Sequence, residues 1–117
     1  MKRRTSTRHV DEEAWKTPLD MACPHGLSVV VVDGTYVRNN FDSDFSQGGN
    51  GFRYRFIPRG EIWIDSLMIE IEWPFIAFHE CREAELMRKG WTYGRAHDTA
   101  KRLEDKYRRA HFGEQRP

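Results

Sequence analysis

The chain has 117 residues, of which 38% are hydrophobic and 32% are charged, with a formal net charge of +1. This length suits one domain, and the balanced charge argues against a general attraction to nucleic acid or to an anionic membrane. No apolar run approaches the roughly 18 residues that span a bilayer, and the N-terminus lacks the apolar segment of a signal peptide. Cys23 and Cys81 leave a single bridge open but form no disulfide framework. We therefore expect a soluble cytoplasmic protein with reduced thiols.

Residues 1–26 are predicted to be a partly disordered N-terminal tail and lead-in, because they contain two prolines and a glycine and show little periodicity. The basic start, MKRRTSTR, is typical of a solvated tail, with contact to nucleic acid as the alternative. Residues 27–112 are then expected to form a single domain, and residues 113–117 a C-terminal tail.

Three or four strands are predicted in the first half of this domain. The apolar, β-branched run LSVVVV (27–32) indicates a strand, and the Asp33-Gly34 pair that follows predicts a tight hairpin from which TYVRN returns antiparallel. FDSDFSQGGNG (41–51) is typical of a turn-rich loop. FRYRFI (52–57) and EIWID (61–65) alternate between apolar and polar residues, which predicts two further strands.

Two helices are predicted in the second half. Pro74 suits the first turn of a helix and Gly90 suits the position just after its end, which together predict a helix over residues 74–89. Thr92 suits the N-cap of a second helix that runs to about His111. Strands followed by helices favour an α+β fold, with a small antiparallel or mixed sheet of three or four strands and then two antiparallel helices.

The first of these helices carries the sequence His-Glu-Cys-Arg-Glu at residues 79–83, one residue away from the His-Glu-x-x-His signature of zinc peptidases. At about 100° per residue, His79 and Glu83 fall within the apolar stripe of the helix. This stripe is predicted to consist of Phe75, Ile76, Leu86 and Met87, with Ala77, Cys81 and Ala84 on the opposite side. A buried carboxylate needs a partner or an ion, and side chains at positions i and i+4 can converge on one ion. We therefore predict that His79 and Glu83 are metal ligands, and that Glu80 activates a metal-bound water as general base.

A catalytic zinc site needs a third protein ligand. The short turn between the helices brings the start of the second helix over the end of the first, and we predict His97 as this ligand. Glu104 is either its substitute or a hydrogen-bond acceptor for it. Zn²⁺ is the expected ion, with another divalent metal as the alternative. A metal-free reading also stands, in which His79, Glu83, His97 and Glu104 form a buried hydrogen-bond network.

The segment GEIWIDSLMIEIEWPFIAFHECREAELMRKG resembles the strand and active-site helix of zincin-type metallopeptidases. A closer similarity, over about residues 28–107, is to metallopeptidase-like proteins carried by phages and bacteria. The resemblance implies a zinc peptidase with ligands His79, Glu83 and His97, with Glu80 as general base, and with the host cytoplasm as the location of a phage protein. The chain departs from the zincin pattern at Glu83, where the family has histidine, and the added negative charge weakens the metal as a Lewis acid.

Three functions are compatible with the sequence. The first is a zinc-dependent metallohydrolase, most simply a metallopeptidase that holds a peptide or protein substrate by strand addition to an exposed edge of EIWID. The second is an inactive, metal-stabilised binding or accessory protein of phage type. The third is a nucleic-acid-binding module, suggested by the basic tail and by Arg53 and Arg55 beside aromatic residues, although the balanced charge argues against it.

Overall fold

A four-stranded mixed sheet precedes two long packed helices in the computed structural model of the protein, which describes residues 11–113. The elements are α1 (Glu12–Trp15), β1 (Lys16–Leu19), β2 (Ser28–Val32), α2 (Gly34–Asn40), β3 (Gly48–Asn50), β4 (Glu61–Asp65), α3 (Trp73–Arg88) and α4 (Tyr93–Gly113), with short 3-10 helices at Pro24–Gly26 and Glu70–Glu72. The predicted α+β fold is confirmed. The basic N-terminal segment and the last four residues lie outside the described residues.

The sheet has the strand order β1-β2-β4-β3. β2 and β4 are parallel and central, with Val30 opposite Trp63, while β1 and β3 are antiparallel edge strands. The sheet therefore begins within the segment that the sequence indicated as a lead-in. The expectation that EIWID offers an exposed edge is wrong, because β4 is hydrogen bonded on both sides, and the edge next to it is β3.

Both faces of the sheet are buried, because the side chains of the central strands alternate between two apolar layers. Val29, Val31, Ile62 and Ile64 face α3. On the opposite face, Val30, Val32 and Trp63 pack in an aromatic layer that also contains Trp15, Phe45 and Ile57. This double burial explains why β2 is apolar from Val29 to Val32, after the exposed Ser28 at its start.

The hairpin predicted at Asp33-Gly34 is wrong, because the chain turns into helix α2 at this point. Asp33 is the N-cap, and its Oδ1 atom accepts hydrogen bonds from the backbone N–H groups of Thr35 (3.0 Å) and Tyr36 (3.2 Å). An aspartate followed by glycine is common to hairpin turns and helix starts, and here the N-cap bonds decide the outcome.

The strand predicted over residues 52–57 is also wrong, since this segment is a series of turns. The Oδ1 atom of Asn50 accepts from the backbone N–H groups of Phe52 (2.9 Å) and Arg53 (3.1 Å), which folds the chain back immediately after β3. Tyr54 and Phe56 alternate with polar residues because they pack on the aromatic layer from the turns, without joining the sheet.

The two predicted helices are confirmed, with boundaries one or two residues away from those expected. α3 has its proline in the first turn, and Gly90 follows its end with φ 102°. The backbone N–H groups of Gly90 and Trp91 donate to carbonyls in the last turn of α3, at 2.9 and 3.1 Å. This left-handed ending directs the chain into α4, which packs along α3.

α3 lies between the sheet and α4, so it is buried on two sides. Ala77, Cys81 and Ala84 pack on the sheet, although the helical projection had placed them opposite the apolar stripe. Leu86 and Met87, which the projection placed in that stripe, are only half-buried. The projection is right that His79 and Glu83 point inward, and these residues face α4 instead of the sheet.

A disulfide bond joins Cys23 and Cys81, whose Cα atoms are 5.8 Å apart. The expectation of reduced thiols is therefore wrong, and the open alternative of a single bridge is the one observed. The bond fastens the loop before β2 to the middle of α3. Within residues 11–113, no helix combines the length and the apolar character that crossing a membrane requires.

Candidate metal centre

Three side chains from α3 and α4 bring one donor atom each to a common point. The Oε2 atom of Glu83 lies 3.1 Å from Nε2 of His79 and 2.9 Å from Nδ1 of His97. The two histidine nitrogens are 3.3 Å apart. His79 and Glu83 are 7% and 2% exposed, whereas His97 is half-buried at the open side of the group. The structure thus brings together the three residues that the sequence indicated as ligands.

The backbone explains why these donors meet. His79 and Glu83 are one helical turn apart on α3, so their side chains are neighbours on one face. The Gly90 turn returns the chain so that α4 crosses that face, and Ala96 and Ala100, both fully buried, allow the helices to approach closely. His97 follows Ala96 directly and is thereby carried to the Glu83 carboxylate.

The three donor atoms of His79, Glu83 and His97 form a triangle, called the donor triangle below, and its size fits a small divalent ion. Zinc–nitrogen and zinc–oxygen bonds of about 2.0–2.1 Å place tetrahedral donors about 3.3 Å apart. The three separations in the protein are 3.1, 2.9 and 3.3 Å. Two imidazoles and a carboxylate are also a donor set that zinc accepts. The group can therefore hold a metal ion with a small outward adjustment, and the half-buried His97 leaves one side open.

Glu104 contacts the other nitrogen of His79, and not His97 as expected. Its Oε1 atom lies 3.0 Å from Nδ1 of His79, and its Oε2 atom accepts from Nε of Arg108 at 2.7 Å. Arg108 also donates to the carboxylate of Glu72, at 2.6 and 3.2 Å. With a metal ion at the point where the three donors meet, the proton of the His79 ring would lie on Nδ1, where Glu104 accepts it, and Nε2 would present its lone pair to the ion.

Positive charge is needed at the point where the three donors meet. With Nδ1 of His79 protonated, Nε2 directs its lone pair at the Glu83 carboxylate, which is repulsive unless a proton or a metal ion lies between them. Burial lowers the pKa of His79, but the hydrogen bond to Glu83 and the charges of the nearby carboxylates outweigh it, and the pKa is raised. The metal-free network considered from the sequence has these same contacts, with an extra proton in place of the metal.

Glu80 stands beside the donor triangle without being part of it. The Nδ2 atom of Asn50 donates to Oε1 of Glu80 at 3.1 Å and to Oε1 of Glu83 at 3.0 Å. Burial, followed by the negative charge of Glu83, raises the pKa of Glu80 to about 8. Because such a carboxyl is largely protonated at neutral pH, its use as a general base requires a neighbouring cation, which would lower the pKa and favour the carboxylate form.

Asn50 is the functional residue that the sequence did not indicate. It is fully buried at the end of β3, and its side chain contacts both Glu80 and Glu83. Its position in the turn-rich stretch GGNG suggested only a loop, since a contact 30 residues distant along the chain leaves no local pattern. Arg108 was missed as well, although its contact with Glu104 has the local i,i+4 spacing; its contact with Glu72, 36 residues away, leaves no such pattern.

The donor triangle opens into a cavity of about 540 Å³, which is within the range of small-molecule and peptide sites. Its walls come from β3 and the turns after it, from α3, and from α4. Gly48, Arg53, Tyr54, Met68, Tyr93 and Lys101 line it together with the charged residues already described. The carboxylates of Glu80 and Glu83 thus face a space large enough for a ligand.

Comparison with protein-family models, with curated proteins and with solved structures found no match. The resemblance to zincin-type metallopeptidases therefore stays a prediction. Any function must be argued from the geometry of the chain itself.

Proposed function

We propose that the protein is a zinc-dependent hydrolase of the metallopeptidase type. The observation that carries this proposal is the convergence of His79, Glu83 and His97 beside a fourth residue, Glu80, in one open cavity. A structural metal site is normally closed by four protein ligands, whereas a hydrolytic site keeps one position open. Three donors with an adjacent carboxylate correspond to the second arrangement.

Each residue has a distinct part in this proposal. Zinc, when bound, supplies the Lewis acidity that polarises a scissile carbonyl and makes water more acidic. Glu80 accepts the proton of the attacking water and delivers it to the leaving nitrogen, so that the peptide bond breaks as the new carbon–oxygen bond forms. Asn50 holds Glu80 and Glu83 in place, and Glu104 fixes the tautomer of His79.

The substrate proposed is an extended peptide. β3 is an edge strand next to the cavity, and Gly48, which lines that cavity, belongs to it. The three residues of β3 are themselves buried, so the peptide is proposed to lie in the cavity beside Gly48 instead of extending the sheet, with a backbone carbonyl directed toward the donor triangle. Strand addition, which the sequence had suggested at β4, is not part of this proposal.

The experiment is a comparison of Glu80→Gln with Glu85→Gln in zinc-loaded protein. Both substitutions remove one carboxylate from α3, but Glu85 pairs with Arg82 and His25 and does not line the cavity. We expect Glu80→Gln to retain zinc and to lose peptide hydrolysis by about 100-fold or more. Glu85→Gln is expected to keep both. Equal turnover in the two variants would contradict the role of Glu80.

A metal-stabilised binding protein is the second candidate, favoured by the carboxylate of Glu83 in the metal group. An anionic ligand reduces the Lewis acidity of the ion while preserving its affinity for the site. In this case zinc raises the free energy of unfolding, and the same Glu80→Gln substitution has no functional effect. Zinc binding without hydrolysis of any peptide in a degenerate library would favour this second candidate.

A further inference from the structure

One cation in the cavity, Arg53, has no anionic partner among the residues that the structure describes. Three basic side chains line the space, and two of them are paired: Lys101 with Asp105 at 2.8 Å, and Arg108 with Glu104 at 2.7 Å. Arg53 makes no ion pair within residues 11–113. A guanidinium that lines a cavity and is free of carboxylates is available to a ligand.

The Arg53 guanidinium is held against two aromatic rings. Its central carbon lies 4.3 Å from the ring centre of Tyr93 and 5.1 Å from that of Tyr54. The Tyr93 ring is in turn 5.4 Å from the ring of His97. The aromatic rings cover the guanidinium, and the Tyr93 hydroxyl is a hydrogen-bond partner for part of its N–H edge. The remaining N–H groups are left for a ligand. Tyr93 also connects this cation to the donor triangle through its contact with His97.

The backbone of Arg53 is fixed relative to the same donor triangle. Its N–H donates to Oδ1 of Asn50 at 3.1 Å, while Nδ2 of that residue donates to Glu83 at 3.0 Å. One buried amide therefore connects the turn that carries Arg53 with a proposed metal ligand. The backbone from which the Arg53 side chain extends is thereby held beside the donor triangle.

We propose that Arg53 forms a carboxylate-binding subsite, and that the peptides hydrolysed by this protein carry a carboxylate close to the scissile bond. This inference rests on the proposed function. The carboxylates of Glu80 and Glu83 disfavour an anion elsewhere in the cavity, whereas the fork of Arg53 matches a carboxylate in a bidentate arrangement. The carboxylate comes either from the C-terminus of a short peptide or from an acidic side chain.

The experiment compares three peptide probes on zinc-loaded protein by calorimetry. The first is N-acetyl-Ala-Ala with a free C-terminus, the second is its C-terminal amide, and the third is N-acetyl-Ala-Asp amide. The wild type is expected to bind the first probe at least about tenfold more tightly than the second, in line with a charge-assisted hydrogen bond. Comparable affinity for the third probe would assign the subsite to acidic side chains as well.

Arg53→Gln is expected to abolish this preference, and Arg53→Lys to retain only part of it, because the ammonium keeps the charge but loses the bidentate geometry. Arg55→Gln is the matched control, since Arg55 is exposed, lies two residues away and does not line the cavity. A preference that persists in Arg53→Gln, or that is absent from the wild type, would overturn the assignment.

Zinc affinity is measured in the same variants, so that failure of the subsite and failure of the metal site are distinguishable. Arg53 is no metal ligand, and zinc affinity is expected to be unchanged in Arg53→Gln. If the wild type takes up no zinc, the proposed hydrolase is refuted. The carboxylate subsite is then tested on the metal-free protein. The Nε–Hε NMR signal of Arg53 should shift on addition of N-acetyl-Ala-Ala and not on addition of its C-terminal amide.

Discussion

Replacing Glu104 by glutamine tests whether the contact to Nδ1 of His79 prepares that ring for a metal. The Glu104 carboxylate is 11% exposed and lies 3.0 Å from the ring nitrogen, so water offers it little substitute. An uncharged amide of the same size accepts a weaker hydrogen bond and lowers the basicity of Nε2. Loss of such an outer contact typically lowers metal affinity 10- to 100-fold, or about 1.4–2.7 kcal/mol.

The assay is a competition titration of zinc against a chelator of known affinity, with circular dichroism to verify the fold. Asp105→Asn is the matched control, because Asp105 is adjacent on α4, loses the same charge, pairs with Lys101 and does not itself line the cavity. If zinc affinity falls equally in both variants, the loss of one negative charge explains the effect and the contact to His79 does not. Unchanged zinc affinity in Glu104→Gln would refute the claim that Glu104 prepares His79 for the metal.

Three further predictions concern pH, the disulfide and the contact of β3 with α3. Zinc affinity should fall on acidification from about pH 8 to pH 5.5, because a proton on His79 competes with the metal. The pKa of His79 is raised, so this competition begins at a higher pH than in a free imidazole of pKa about 6.5. A pH-independent affinity in chelator competition would contradict this prediction. Replacing Cys23 and Cys81 by serine removes a cross-link with a sequence separation of 58 residues, which should lower the free energy of unfolding in urea by about 4 kcal/mol and leave zinc affinity unchanged. A loss of zinc in the folded double variant would show that the bond positions the metal group. Gly48→Ala should lower the free energy of unfolding by about 1–3 kcal/mol in the same assay, since an added Cβ would lie 2.7 Å from both the Ile76 side chain and the Trp63 carbonyl oxygen. An unchanged free energy of unfolding would mean that β3 can shift away from α3.

The parts of the fold that the sequence predicted are those governed by local rules. Pro74 and Gly90 stand at the ends of α3 and fixed its boundaries within a residue or two. β4 was correct because its five residues have β-branched and aromatic side chains at their centre, Ile62, Trp63 and Ile64, and stand between turn residues. The inward direction of His79 and Glu83 followed from helical geometry alone.

The errors arose where a local pattern has two solutions. Asp33-Gly34 serves either a hairpin or a helix start, and the parallel pairing of β2 with β4 leaves no place for a returning strand on that side. Residues 52–57 alternate in polarity because an aromatic layer covers one side of a series of turns, and this gives the period of a strand without its hydrogen bonds.

The candidate site was predictable only for residues on the two helices. The spacing of His79, Glu83 and His97 is set by helix geometry and a short turn, so their meeting could be expected. Asn50 and Arg108 reach the site from a sheet edge and from a later turn of α4, and their contacts depend on tertiary packing. No periodicity in the sequence reports such contacts.

The central claim is that the donor triangle binds one divalent ion, and the most direct measurement is the zinc content and zinc affinity of the purified protein beside Glu83→Gln. Glu83 contributes the oxygen that contacts both histidines, so its amide should abolish high-affinity binding. We predict about one zinc per wild-type chain and none in the folded variant. A folded wild-type protein that takes up neither zinc nor another divalent ion, or a variant that binds zinc as tightly as the wild type, would contradict the account.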